Sequence, residues 1–325
     1  MLSSFDSKYT QALENGEVSI LLGNGFSQAW NSSIFNYKNL LSSASFGLRN
    51  AAIKNIFSEL KTYDFEKVML ALQSAEVIFR NYNIPSNKIN ELLQDQDLLK
   101  NGLIQVISNQ HPQRSSSVST VQYQAAKPFT CLFRKIFTVN YDLLLYWIIN
   151  KTEISPLGYR HSDGFHYETW IARQEQSIFF LHGGLHLYDD GVSIKKHRFN
   201  DDIDISIAEQ VRSNLQVGNF PLFVSEPTSI GKLNKIKHNP YLNHAFSKLQ
   251  ELEGSLFIHG HSVDTNDAHI FDKIHSSNVR NIYIGLFGDE NSEANRTTKA
   301  NSLTYLQRGG KVVEFYDSST ASIWS

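Results

Sequence analysis

Four short segments gather the residue types that do chemistry. They are Gly23-Asn24-Gly25-Phe26-Ser27, Thr138-Val139-Asn140-Tyr141-Asp142, His182-Gly183-Gly184 and Gly260-His261-Ser262-Val263-Asp264. Each follows an apolar run of strand length. In the first, Val18, Ile20, Leu21 and Leu22 lead into two glycines that bracket one residue. Glycine lets a backbone turn tightly and approach a ligand, and the N–H groups of a following helical turn point at an anion. That is phosphate-binding chemistry, although a Gly-x-Gly after a strand is also a common tight connection. The other three segments add a carboxamide, a carboxylate, imidazoles and hydroxyls. Buried groups of these kinds need partners, so a purely structural protein has little reason to collect them.

The elements that position these segments follow from periodicity. Strands are expected at 18–22, 133–139, 177–181, 221–224, 255–259, 280–286 and 311–315, and helices at 5–16, 143–149, 204–215, 241–252, 268–275 and 291–307. Ser27 stands where a helix would begin, with Ala29, Trp30, Ile34 and Phe35 behind it. From Ser27 to about Ile107 the pattern is nearly all helical, and its Leu/Phe stripes read as core rather than a partner groove. Residues 109–127 are polar and Ser-rich and read as an exposed loop. A hairpin is expected to turn at Asp189-Asp190-Gly191. Strands that alternate with helices imply a parallel sheet with right-handed crossovers. The reading is an α/β fold: one domain over 1–325, with a Rossmann-like parallel sheet of about six or seven strands flanked by helices. A helical insertion plus the Ser-rich loop occupies 45–127. If the strands are parallel, the four polar segments line one edge, where open sheets of this kind bind ligands.

Composition narrows the classes. Lys plus Arg is 30 against 32 Asp plus Glu, so no dedicated nucleic-acid surface is expected. The single cysteine, Cys131, rules out a disulfide framework and a Cys-rich zinc site. The first residues lack the basic and apolar pattern of a signal peptide, and no apolar run is long enough to span a membrane. A cytoplasmic protein is expected. A third glycine at the dehydrogenase spacing is missing, because Ala29 and Trp30 stand near its place.

The order Gly-x-Gly-x-Ser, Thr-x-Asn-x-Asp, His-Gly and Gly-x-Ser resembles the sirtuin fold. It is closer still to the bacterial sirtuin-like NAD-consuming proteins of anti-phage defence. The segment from Gly260 to Ile270 is similar to an uncharacterised branch of that group, as are Ser225-Glu226-Pro227-Thr228, Lys232 and Pro240-Tyr241-Leu242. The resemblance implies NAD as substrate and no metal. It implies a dinucleotide held by Gly23, Asn24, Gly25, Phe26 and Ser27 on one side and by Gly260, His261, Ser262 and Asp264 on the other. It implies Asn140, Asp142 and His182 as the catalytic residues, with Glu226 and Lys232 over the site from a mobile loop. A defence role implies gating by homo-oligomerisation, a co-encoded hexameric ATPase or a phage trigger. Two departures disfavour protein deacetylation. One cysteine cannot supply the four-cysteine zinc module of deacetylating sirtuins, and Gly-Asn-Gly replaces the usual Gly-Ala-Gly.

The implied reaction breaks the nicotinamide–ribose bond through an oxocarbenium-like transition state. Nicotinamide leaves as a neutral molecule from a cationic ring, so no strong acid is needed. Asn140 would hold a ribose hydroxyl or the water, Asp142 would orient Asn140 or stabilise positive charge, and His182 would be the base. Blander roles stand beside these. Asn140 and Asp142 are good caps for the helix that follows them, and His182 before two glycines suits a turn. His261, His269, Asp264 and Asp267 suggest a metal site, but their spacing favours helix capping or a surface role. The run Lys195-Lys196-His197-Arg198 reads as a solvated hairpin. A catalytically silent nucleotide sensor and an ADP-ribosyltransferase are the competing functions.

Overall fold

The computed structural model describes residues 2–32, 37–158, 161–172, 175–199, 206–216, 219 and 221–325. Ile34 and Phe35, and the start of the helix expected at 204, lie outside these. The chain begins with β1 (Ser3–Ser4), α1 (Phe5–Leu13), β2 (Val18–Leu22) and α2 (Asn24–Asn31). Helices α3 (Tyr37–Ser43), α4 (Asn50–Glu59), α5 (Phe65–Asn81) and α6 (Ser86–Gln110) follow. Next come α7 (Thr120–Cys131), β3 (Ile136–Thr138) and α8 (Leu144–Asn150). The middle holds β4 (Phe165–His166), β5 (Thr169–Trp170), β6 (Ile178–Phe180), β7 (Gly183–Asp189), β8 (Ile194–Lys196), α9 (Ile207–Gln216) and β9 (Pro221–Phe223). The last third runs α10 (Ser229–His238), α11 (Pro240–Ser247), β10 (Glu253–His259), α12 (Ala268–His275), β11 (Asn278–Leu286), α13 (Glu293–Leu306) and β12 (Val312–Asp317).

Seven strands form one sheet in the order β1-β12-β11-β10-β2-β3-β6, and every pairing in it is parallel. A parallel sheet is covered on both faces, so its strands must be apolar along their length rather than alternating. β2, β3 and β6 are buried at every residue. Counted from β2 and read from the β6 edge, the six longer-range strands run third, second, first, fourth, fifth, sixth. That is the doubly wound, Rossmann-like order. The chain leaves β2 towards β3 and β6, then returns to β10 on the other side of β2 and proceeds to β11 and β12. The reversal point therefore lies between β2 and β10.

A second sheet, β4-β5-β8-β7-β9, is antiparallel. It contains the expected hairpin at Asp189-Asp190-Gly191, and it also takes 221–224, which pairs with β7 and not with the parallel sheet. Gly183 shows why β6 does not simply end. It sits at φ +81° with Leu222 O 2.0 Å from where a Cβ would stand, so the chain swings there from one sheet into the other. The basic run enters the hairpin, as expected, with Arg198 exposed and paired to Glu168, Lys195 paired to Asp190 and Lys196 to Asp163, while His197 is buried.

The helical insertion begins at Tyr37 and carries its own core, with Phe46, Ile53, Phe57, Phe65, Val68 and Leu103 buried together. Phe57, Val68 and Leu72 of its apolar stripes are core, as their spacing implied, while Leu60 and Ile78 are exposed. The Ser-rich stretch is corrected. α6 runs to Gln110 and α7 starts at Thr120, so the connection is only 111–119. Ser119 and Gln122 form a reciprocal capping box, and Tyr123, Ala126 and Phe129 are buried. Serine there starts a helix rather than extending a loop. No described helix is long and apolar enough to cross a membrane.

Candidate functional site at the carboxyl edge of the sheet

The parallel pairing brings the ends of β2, β3, β6 and β10 side by side. At β2 the glycines serve a close approach between two loops. The Gly23 N–H donates to His259 O at 2.9 Å, and the Gly25 N–H donates to Gly260 O at 2.8 Å. A Cβ on Gly23 would stand 2.5 Å from Gly260 O, and one on Gly25 would stand 2.6 Å from Gly260 Cα. Gly260 itself has φ +69°, with Phe26 N 2.6 Å from where its Cβ would be. The Phe26 N–H donates to Gly23 O at 3.0 Å. Three donors of the glycine turn are thus spent inside the protein. Phe26 is buried with its ring 5.2 Å from Trp324, whose Nε1 donates to Phe26 O at 2.9 Å. α2 starts at Asn24, so Ser27 lies inside its first turns, fully buried.

Ser27 joins the end of β3. The Asn140 Nδ2 donates to Gly23 O and to Ser27 Oγ, both at 3.0 Å, and Ser27 Oγ donates to Asp142 Oδ2 at 2.5 Å. The Leu144 N–H donates to Asp142 Oδ1 at 2.9 Å. One carboxylate oxygen therefore caps the start of α8, as its residue type suggested, and the other anchors Ser27. Burial pushes the Asp142 carboxyl up, against the pull of the Ser27 and Leu144 hydrogen bonds. The Asn140 donors are used, which leaves its carboxamide oxygen to accept from a ligand. His111, which sequence reasoning passed over, accepts the Leu143 N–H at 2.9 Å.

His182 belongs to a second polar group. Its Nε2 lies 3.7 Å from Asp267 Oδ1. The same oxygen accepts from Lys232 Nζ at 2.9 Å, and Lys232 also pairs with Glu66 Oε2 at 3.0 Å. Asp267 Oδ2 faces His261 Nε2 at 3.2 Å. The His261 Nδ1 accepts the Val263 N–H at 2.9 Å, so a neutral His261 carries its proton on Nε2 and donates it to Asp267. His269 Nδ1 meets Ser229 Oγ at 3.2 Å. Tyr141 stacks on Phe223 with centroids 3.8 Å apart, sits 6.4 Å from His182, and donates its hydroxyl to Val224 O.

Charges in this group are strongly coupled. Burial holds the His182 imidazole well below its usual range, outweighing Asp267, so it is neutral. His269 is lowered to about 4 by burial. Burial alone would raise Asp267, but the His261 hydrogen bond and the Lys232 ammonium hold it well below the ordinary carboxylate range. Burial raises Glu66 to about 7 despite Lys232. Lys232 is disfavoured by burial, yet Asp267 and Glu66 together raise it.

The expected residues are thus divided. Asn140 and Asp142 hold the glycine turn, while His182 sits among Asp267, His261 and His269. The capping or surface role expected of His261, His269, Asp264 and Asp267 is right for Asp264 alone, which is exposed and accepts the Asn266 N–H at 3.2 Å. The other three are buried. A reversal at Val263, φ +52°, and the short turn Thr265–Asp267 fold them inward, and residue spacing does not show such a reversal. Ser262 is exposed. Lys232 is on α10 and buried rather than on a mobile loop. Glu66 was missed, because a glutamate in the first turn of a helix, just after the Asp64 cap that accepts its N–H at 2.9 Å, reads as a solvated residue.

A family model described as a domain of unknown function (DUF4917) matches residues 20–324, and the chain belongs to that family. No curated protein matches the chain.

Proposed function

We propose that this DUF4917 protein is an NAD glycohydrolase that releases nicotinamide and leaves ADP-ribose. The observation that carries the reading is the strand order. Open sheets with this order bind ligands at the switch point, here between β2 and β10, where Gly23–Ser27 and Gly260–Asp264 meet. Along the same edge stand a carboxamide with a free oxygen and a buried, neutral imidazole beside a carboxylate.

In this reading the bond from ribose C1′ to the pyridinium nitrogen breaks, and its electron pair leaves with nicotinamide. Water adds to C1′, and its proton passes to the His182 Nε2, which has no hydrogen-bond partner. Asp267, 3.7 Å away, stabilises the resulting imidazolium. The Asn140 oxygen accepts from a ribose hydroxyl. Asp142 acts through Ser27 and Asn140 and is a positioning residue. The resemblance to sirtuin-like defence proteins supports a role in NAD depletion in the cytoplasm. Uncontrolled activity would harm the host, so gating by self-association, a co-encoded hexameric ATPase or a phage trigger belongs to the same reading.

One observation favours a second reading, a silent nucleotide sensor: the Gly25 and Phe26 donors and the Asn140 amide are already satisfied within the protein. Incubation of the purified chain with NAD, with chromatography of nicotinamide and ADP-ribose, separates the readings. Hydrolysis gives both products in equal amounts, and His182→Ala lowers turnover by about 100-fold or more while the fold persists by circular dichroism. Binding without turnover supports the sensor. Nicotinamide without free ADP-ribose supports transfer to an acceptor. Turnover retained in both His182→Ala and Asn140→Ala overturns the assignment.

A further inference from the structure

Two imidazole nitrogens in the His182 group lack partners. His182 Nε2 and His269 Nε2 are both buried without a hydrogen bond, and their residues are only 2% and 5% exposed. An unsatisfied buried polar atom is destabilising, so two in one cluster need a reason. Both flank Asp267. One ligand atom from each of His182, Asp267 and His269 can be chosen so that all three lie within 4.8 Å of one another.

We propose that His182, Asp267 and His269 form a binding site for a divalent transition-metal ion, with zinc the best match to two imidazoles and a carboxylate. Zinc takes such ligands at about 2.0–2.2 Å, which places two of them roughly 3.4 Å apart across a tetrahedral ion. The His182 Nε2 to Asp267 Oδ1 separation is 3.7 Å, and the ligand atom of His269 draws in from within 4.8 Å of both to close the set. Water fills the fourth position. The surroundings are those of a metal site. Ser229 Oγ holds the other ring nitrogen of His269 at 3.2 Å, and His261 holds the second oxygen of Asp267. The Lys232 ammonium lies between Asp267 Oδ1 at 2.9 Å and Glu66 Oε2 at 3.0 Å, so Asp267 shares its negative charge between Lys232 and the ion. Each carboxylate oxygen has two lone-pair directions, and Lys232 uses one on Oδ1.

A functional consequence rests on the NAD glycohydrolase reading. An ion on His182 Nε2 takes the lone pair that would accept the proton from water, so the metal-loaded chain is the inactive form. The site is then a zinc-operated off switch.

The test begins with full-length chain stripped by a chelator and titrated with Zn²⁺ against a chromophoric indicator. One ion per chain is expected, with affinity lowered about 100-fold or more in His269→Ala and in Asp267→Asn, and about 10-fold in Ser229→Ala. Co²⁺ substitution in the wild-type chain should give the intense visible absorption of a tetrahedral site, a readout that needs no variant to fold. No bound ion, or unchanged affinity in both ligand variants, overturns the site. Zn²⁺ added to active enzyme should stop nicotinamide release, and EDTA should restore it. Turnover that ignores full zinc occupancy overturns the switch. Absence of NAD cleavage from stripped and loaded chains alike would instead sink the hydrolase reading and leave the metal site standing.

Discussion

Gly260 illustrates how a single residue joins two loops. It combines a positive φ with backbone atoms of Gly25 and Phe26 in the space a side chain would need. Gly158 has a similar φ, +82°, and nothing within 4 Å of its Cβ position. Gly158→Ala should therefore cost only the conformational strain, about 1–2 kcal/mol. Gly260→Ala adds a backbone clash and should cost clearly more, about 3 kcal/mol or above by urea unfolding. Equal losses would show that the loops do not press together. Ser27 is the second such residue, because its hydroxyl accepts from Asn140 and donates to Asp142. Ser27→Ala leaves both buried partners one bond short and should lower stability by about 2–4 kcal/mol. The glycines and Ser27 were legible in the sequence as a motif. Their partners were not, since Gly260 and Asp142 lie far along the chain and only the sheet pairing brings them near.

At the scale of elements, α5 ties the insertion to the parallel sheet. Its first turn presents Glu66 to Lys232 of α10 and to Asn266 beyond β10, at 3.0 and 2.7 Å. Tyr141 makes a second tie by packing against the insertion core. Removing one partner of a buried ion pair leaves a charge without compensation. Lys232→Met should cost about 3–5 kcal/mol. Glu66→Gln should cost less, because the Glu66 carboxyl is already raised to about 7 and carries only partial charge near neutrality. A double-mutant cycle on the two should show coupling of about 1 kcal/mol or more, and additive losses would mean that α5 and α10 are independent. The periodicity of α5 picks out Val68 and Leu72, which are buried, and also Ile78, which is exposed. It could not reveal that Glu66, off that stripe, is held inside by a helix of another segment.

Across the whole molecule the buried histidines set the response to acid. Burial lowers His111, His197 and His259 from 6.5 to about 4. The folded chain keeps them neutral while the unfolded chain protonates them, so the unfolded state binds more protons between those limits. Stability is therefore full above about pH 6.5 and falls as pH drops towards 4, with a slope approaching about 1.4 kcal/mol per pH unit for each histidine. Glu66 works in the opposite direction between about 7 and 4.5, since the folded state takes up its proton first, and offsets part of the loss. Urea midpoints from pH 7.5 to 4.5 should decline, and His111→Asn and His259→Asn should each flatten the decline. A flat profile in the wild type would contradict the burial of neutral imidazoles.

The sequence by itself determined the class of fold and the edge on which the polar segments meet. A parallel strand covered on both faces must be apolar throughout, so runs such as 18–22, 177–181 and 255–259 announce themselves, and the helical spacings between them force crossovers. It also fixed which strand ends carry Asn140, Asp142, His182 and the glycines. Only the tertiary structure decided how those residues divide their work. Strand order set the switch point between β2 and β10 and put Gly23 and Gly25 against Gly260. The reversal at Val263 turned His261, Asp267 and His269 towards His182, and the packing of the insertion delivered Glu66. Each of these depends on contacts between residues far apart in the chain, and local patterns of hydrophobicity carry no information about which distant polar group a buried side chain will meet.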